Sequence, residues 1–455
     1  MSIRRIILFV AFFSFSIGCL FSQEEVKSFS KTVEVNPDVY FILKHSYGKA
    51  DIQGTDQNKV IIEAVIKAKG EGAKEFVDAV VININENASN VSVKTDYPST
   101  KSKSNFSYSV DYIVKIPLKA RVKLENSFGS AFVKNINGDV DLDIAYGSIE
   151  VTKCLSKNLI SGKFSNFKGK ELGADSRVSN SYGKTIIDGA TGDLEVTSSF
   201  GDCEVKNING NVNITNGYGS IKIENVEGRG SLINQFGKIS VKNMKGPFDI
   251  TNKNSEVTLS NVESGRVTNS FGSINISDVK GKAGLTVNNK NGSVRIKKCN
   301  SNVLLQNSFD YIELKEIEGR VDLLSNNCSI RLNDISGDIK LDNTFGSVEI
   351  ESITGDVNAR NKSGRISVAD IKKLGKTYTL ENEFGPISIE FPKNLSAEIS
   401  ALTVFGNIHS EIPLEMNKTT NRMEGKAKIG DGYSKVKLET RNASIDIELS
   451  GKEAK

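Results

Sequence analysis

The 455-residue chain contains no tryptophan, two histidines, seven prolines and five cysteines. His45 and His409 lie far apart, and neither has convergent partners. A metal centre or a Ser-His-Asp system needs such partners, so neither is expected, and both histidines are expected at the surface. No phosphate-binding glycine loop or nucleotide fingerprint is present. Like charges form no block. The net charge is +4, with Lys and Glu interleaved. The clustered basic face that nucleic acid requires is therefore missing, and no charged tail is implied. Beyond the first two dozen residues no stretch is apolar enough to cross a bilayer.

The start of the chain reads as an export signal. Arg4 and Arg5 precede an apolar run from Ile6 to Leu20 that is short for a membrane span, and cleavage after Ser22 fits the pattern. Ser16-Ile17-Gly18-Cys19 is an imperfect lipobox. Cys19 is thus a candidate for lipidation, the alternative being a cysteine removed with the signal. A periplasmic, outer-membrane or cell-surface location is expected, with membrane attachment only through that lipid.

The 39 glycines, with many Asn and Ser, imply many turns. They are arranged periodically. Asn126-Ser127-Phe128-Gly129-Ser130 returns as Asn180-Ser181-Tyr182-Gly183, Asn216-Gly217-Tyr218-Gly219-Ser220, Asn269-Ser270-Phe271-Gly272-Ser273 and Asn343-Thr344-Phe345-Gly346-Ser347. The aromatic slot falls at 128, 146, 164, 182, 200, 218 and 236, then at 254, 271, 291, 309, 327, 345, 363, 384 and 405. Within a unit, Ile221 and Ile223 alternate with Lys222 and Glu224, the period of a strand. Gly228 breaks the strand and a second begins.

Such a strand pair cannot bury its apolar face alone, but parallel stacking of successive coils does so. The expected fold is therefore all-β: a single-stranded parallel β-helix, or β-solenoid, of about 18-residue coils, with a right-handed sense. Sixteen registered units at ~4.8 Å per rung would span roughly 75 Å. Beyond residue 236 the ring alternates with Asn254, Asn291, Asn327 and Ser363, a 36-residue super-period. A coil made of two 18-residue halves is the alternative to the 18-residue coil.

Two residues before the slot stands a column of asparagines: Asn126, Asn180, Asn216, Asn234, Asn252, Asn269, Asn289, Asn307, Asn343, Asn361 and Asn382. Its parity matches the inward strand positions. It is read as a structural ladder at an inner corner, bonding amide to amide and satisfying turn backbone, in preference to a polar ligand stripe. The glycine after the slot is read as the positive-φ turn residue. The rings are read as an aromatic stack in preference to a sugar platform.

Register also assigns the cysteines. Cys154 and Cys299 stand in a column held by Ile136, Ile208 and Val226, Cys203 in the column of Ile221, and Cys328 in the turn-glycine column. No two adjoin, so free thiols are expected. Asp139, Asp141 and Asp143 share an outward strand face, with Asp193 and Asp338 in the Asp139 column and Glu195 in the Asp141 column on other coils. A solvated face explains this stripe, with weak calcium binding at Asp139 and Asp141 as the alternative.

Three segments resemble the bacterial "putative adhesin" β-solenoid family. They are Ser46-Tyr47-Gly48-Lys49-Ala50-Asp51-Ile52, the strand Val110 to Pro117 leading into Asn126, and the ending Gly430-Asp431-Gly432 through Ile447. The resemblance implies an exported β-helix and says little about ligand. The expected segments are a signal peptide (1–22), an N-terminal cap with irregular coils (23–120), regular repeats (121–412) and closing strands (413–455). The expected function is a non-catalytic adhesin or scaffold, monomeric and without cofactor, that meets a surface glycan or protein through ladders of Ser, Asn, Thr and Lys on its outer walls. A self-assembling structural protein and a polysaccharide lyase or hydrolase are the alternatives.

Overall fold

The structure, a computed structural model, describes residues 24–99 and 106–454. The signal segment and Cys19 lie outside the described residues. The chain winds into a β-solenoid in which each coil supplies two strands on two walls. Val212–Tyr218 forms one wall of a coil and Ile221–Val226 the other. Val212 lies beside Leu194 and Gly230, and Ile221 beside Cys203 and Ile239. Residues 18 apart are therefore direct neighbours, which settles the coil at 18 residues and removes the 36-residue alternative. Backbone bonds tie coil to coil, as in Val212 N–H to Arg229 O at 2.8 Å and Gly219 N–H to Phe236 O at 3.0 Å.

One coil shows why the sequence closes this way. Val212, Ile214 and Asn216 point inward from the first wall, and Ile221, Ile223 and Val226 from the second. Ile223 and Val226 are three apart, which simple alternation forbids. The left-handed residue Asn225 (φ 59°) resets the parity between them. Asn135, Asn207, Asn243 and Asn261 do the same in their coils, with φ of 54–59°. Asparagine tolerates this region better than other side chains. The result is one continuous apolar core running from Val33 to Ile447.

The turn glycines have a steric reason beyond φ. A Cβ on Gly219 would come 2.3 Å from Gly201 O, and one on Gly147 would come 2.1 Å from Gly129 O. Gly219 has φ 120°, as expected, but at the Tyr146-Gly147 turn the ring residue takes the positive φ (57°). Asp310 and Cys328 stand in this glycine column, and there the two walls join without a break in the strand, although Asp310 keeps a positive φ (88°). Val303–Ile317 and Val321–Ile335 run as continuous 15-residue strands.

Both ends share a device. At the start, Tyr40–His45 lies between Asn90–Asp96 and Arg121–Asn126, so the first coil in sequence is second in space. At the finish, Ser434–Arg441 lies between Thr377–Asn382 and Ala397–Val404. The last strands wedge inside the stack, so Phe384 and Phe405 are not on adjacent coils. The outermost coils are then covered by antiparallel strands. Lys59–Lys69 pairs with Ser107–Pro117, Val81–Asn87 with Asn90–Asp96, and Arg422–Ile429 with Ala397–Val404. Antiparallel cover at these places blunts edges that would otherwise recruit another strand.

Candidate functional site: an exposed aromatic spine

The slot residues line one corner of the solenoid. Tyr47, Phe128, Tyr146, Phe164, Tyr182, Phe200, Tyr218 and Phe236 form an unbroken stack. Ring centroids lie 4.5–5.2 Å apart and planes within 1–11° of parallel. The rungs of the sheet set this spacing, so the stack follows from the register. Each ring is 37–55% exposed. Neighbouring rings cover both faces of every inner ring, so solvent meets ring edges and tyrosine hydroxyls. A sugar laid flat on a ring face has no place along this stretch.

The slot composition is more regular than it first reads. Phe recurs on every second rung from Phe128 to Phe384, and the rungs between carry Tyr146, Tyr182 and Tyr218, then Asn254, Asn291, Asn327 and Ser363. The super-period therefore runs through the whole body, and only its polar partner changes. With the last strands wedged inside, Asn442 takes the slot after Phe384 and Phe405 the one after that. The alternation continues to the end of the stack.

The asparagine column lies behind the spine, and all eleven side chains are only 0–7% exposed. Their amides face the turns. Asn234 Nδ2 donates to Gly219 O at 3.1 Å on the preceding coil and to Gly237 O at 2.9 Å on its own. Asn180 Nδ2 likewise donates to Ser165 O and Gly183 O. Each member donates to at least one turn carbonyl. Within this column, Asn343 Nδ2 to Asn361 Oδ1 at 3.3 Å is the one amide-to-amide bond among the described residues. The column is thus a clamp on turn backbone. The coil-to-coil amide ladder expected here stands instead on the outer corner, where Asn207, Asn225, Asn243 and Asn261 bond in series at 2.7–2.9 Å. Its 18-residue spacing is legible in the sequence, but not that its amides come within reach of one another.

The remaining candidates are engaged or buried. Cys154, Cys203, Cys299 and Cys328 are free and buried. Burial pushes the Cys154 thiol up to about 12 and those of Cys203 and Cys328 up to about 11. His45 is not at the surface but buried, opposite Asn126 in the asparagine column and edge-on to Tyr112. Desolvation holds its pKa down at about 4. His409 is exposed and meets Asp446 at 3.0 Å.

Two members of the acidic stripe, Asp193 and Glu195, line a shallow groove of about 540 Å³ together with Arg177 and Arg229. Asp193 accepts from Asn211 N–H at 2.8 Å, and Arg177 bridges Glu195 at 2.8 Å. Asp139 accepts from Ser156 Oγ, Asp141 meets Lys123, and Asp143 accepts from Ser161 Oγ. Among the described residues, no group of three His, Cys, Asp or Glu side chains is placed to hold a metal.

A family model, Toastrack DUF4097, matches residues 49–448. The chain belongs to the Toastrack DUF4097 family. No curated protein matches this Toastrack chain. Among solved structures, a "putative cell adhesion protein" from Clostridium sporogenes is similar at 8% identity, over 94% of this chain and 100% of that one, with a TM-score of 0.16. Among the described residues of this Toastrack chain, no helix is long and apolar enough to cross a membrane.

Proposed function

We infer that this chain is an exported, non-catalytic β-solenoid of the cell envelope or surface. It acts as an adhesin or scaffold whose spine from Tyr47 to Phe236 meets a surface glycan or protein. One observation carries the reading: eight stacked, half-exposed rings in a row. At 150–250 Å² per ring, half exposed, the strip presents roughly 800 Å² of aromatic surface. That exceeds the largest apolar patch of a typical monomer and marks an interaction surface. Ring edges carry partial positive charge and suit acceptor oxygens. Tyrosine hydroxyls add donors on alternate rungs, about 9.6 Å apart. The positive, apolar N-terminus supports export, and fatty-acid labelling of cells tests lipid at Cys19.

A glycan and matrix-protein array tests the binding role, beside incubation with acidic and neutral polysaccharides. Selective retention of a glycan or protein is expected, with the polysaccharides intact. Their degradation would replace this reading with that of a lyase or hydrolase.

A further inference from the structure

The second half of the spine differs from the first in a way that makes it self-complementary. Phe271, Phe309, Phe345, Phe384 and Phe405 stand on every second rung and are half-exposed or more. Between them, and before Phe271, the slots hold Asn254, Asn291, Asn327, Ser363 and Asn442, all shorter side chains. Successive rings are therefore about 9.6 Å apart, twice the rung spacing. A ring inserted midway would sit about 4.8 Å from each neighbour. That is the separation the chain's own continuous stack adopts, 4.5–5.2 Å.

We propose that this face binds a second copy of the chain, with the rings of each copy entering the notches of the other. A two-fold axis across the solenoid, between the rungs of Asn327 and Phe345, performs the match. It reverses the rung order, so Phe345 enters the Asn327 notch, Phe309 that of Ser363 and Phe384 that of Asn291. Phe271 then enters at Asn442 and Phe405 at Asn254. Five rings meet five notches in each direction, an isologous contact that closes on itself.

Charge supports this register independently. One residue before the slot, Lys290 faces Glu383 of the second copy. Four residues after it, Arg331 faces Glu349. Tyr311 faces Arg365. In the four outward columns that flank the slots, no two like charges meet. Like charges in contact would oppose the pairing. Ten half-exposed rings contribute roughly 1,000 Å². With their flanks they approach the 1,200–2,000 Å² of stable interfaces. The first half of the spine offers no notches and cannot pair this way. The contact therefore meets the ligand surface proposed above only at Phe236, which borders the Asn254 notch.

Sedimentation of the purified chain from about 1 to about 500 µM tests the inference, a range that covers both weak and standard-size interfaces. A monomer–dimer equilibrium is expected. The double variant Asn291→Phe, Asn327→Phe fills two notches, a change the first half of the spine shows the fold accommodates. It should weaken dimerisation at least tenfold while the far-ultraviolet spectrum stays unchanged. The register is read by mixing two single variants, Asn326→Cys and Thr344→Cys, under mild oxidation. These positions face each other across the axis, whereas like positions are offset by one rung, so the disulfide should form faster between the two variants than within either one. A monomer throughout the range, dimerisation indifferent to filled notches, or equal cross-linking within each variant overturns the proposal.

Discussion

Replacing Asn234 tests the clamp that holds the coils in register. Its amide donates to Gly219 O and Gly237 O, whereas its Oδ1 is buried without a partner. Asn234→Ala removes two hydrogen bonds worth roughly 1 kcal/mol each and strands two carbonyls. It also removes the unpartnered oxygen, so a loss of about 2 kcal/mol is expected. Asn234→Asp keeps the shape but turns a donor into an acceptor beside two carbonyl oxygens. An unpaired buried charge of this kind costs about 3–5 kcal/mol. The Asn234→Asp variant should therefore be less stable than Asn234→Ala at pH 7.

The pH dependence has a definite sign. The folded-state pKa of the carboxyl introduced by Asn234→Asp should rise above its unfolded value of about 3.9, because burial and carbonyl neighbours disfavour the anion. The deficit is then full above the folded pKa and shrinks as pH falls through it. The neutral acid regains one donor. Urea midpoints of both variants and the parent, at neutral and mildly acidic pH, measure the differences. Hydrogen exchange at residues 219 and 237 localises them, since a solenoid opens in segments. If the two variants prove equally stable at pH 7, the amide orientation is wrong and the clamp argument fails.

Three further outcomes follow from the same geometry. Gly219→Ala places a Cβ 2.3 Å from Gly201 O and should lower the urea midpoint sharply, whereas Gly375→Ala, with φ 73° and open space, should cost about 1 kcal/mol. The four described cysteines should resist a thiol reagent at pH 8 until denaturant is added, because burial raises their pKa values; rapid native labelling contradicts this. His45 is depressed to about 4 against 6.5, so the unfolded state binds the extra proton. Stability should fall by up to about 3 kcal/mol as pH drops from 6.5 to 4, and the variant His45→Asn, which restores the column residue, should flatten that slope.

The coil was legible because it repeats. The slots from 128 to 363 fixed the 18-residue register, and the strand pairing follows it. Column reasoning placed Cys154, Cys203 and Cys299 in the core for the same reason. Periodicity does not carry to the ends, where chain order and spatial order part. The wedging of Ser434–Arg441 between earlier strands depends on long-range closure at the end, which local periodicity does not carry. His45 carries no signal of burial as an isolated residue, but it stands two before Tyr47 and so belongs to the asparagine column. The frequency of Asn in the inner column suggests an amide ladder there. The turn carbonyls are nearer and compete for those donors. The outer Asn225 column, held left-handed with its amides in reach of one another, forms the ladder instead.

The functional claim rests on the spine as the contact surface, and paired binding measurements test it most directly. The ligand retained on the array is titrated against the parent, against Tyr182→Ser with Phe200→Ser and Tyr218→Ser, and against Asp193→Ser with Glu195→Ser on the outer wall. The rings are half-exposed and outside the core, so the spine variant should remain folded. Loss of binding of at least tenfold in the spine variant, with the wall variant equal to the parent, is the expected result. Undiminished binding by the spine variant would contradict the account.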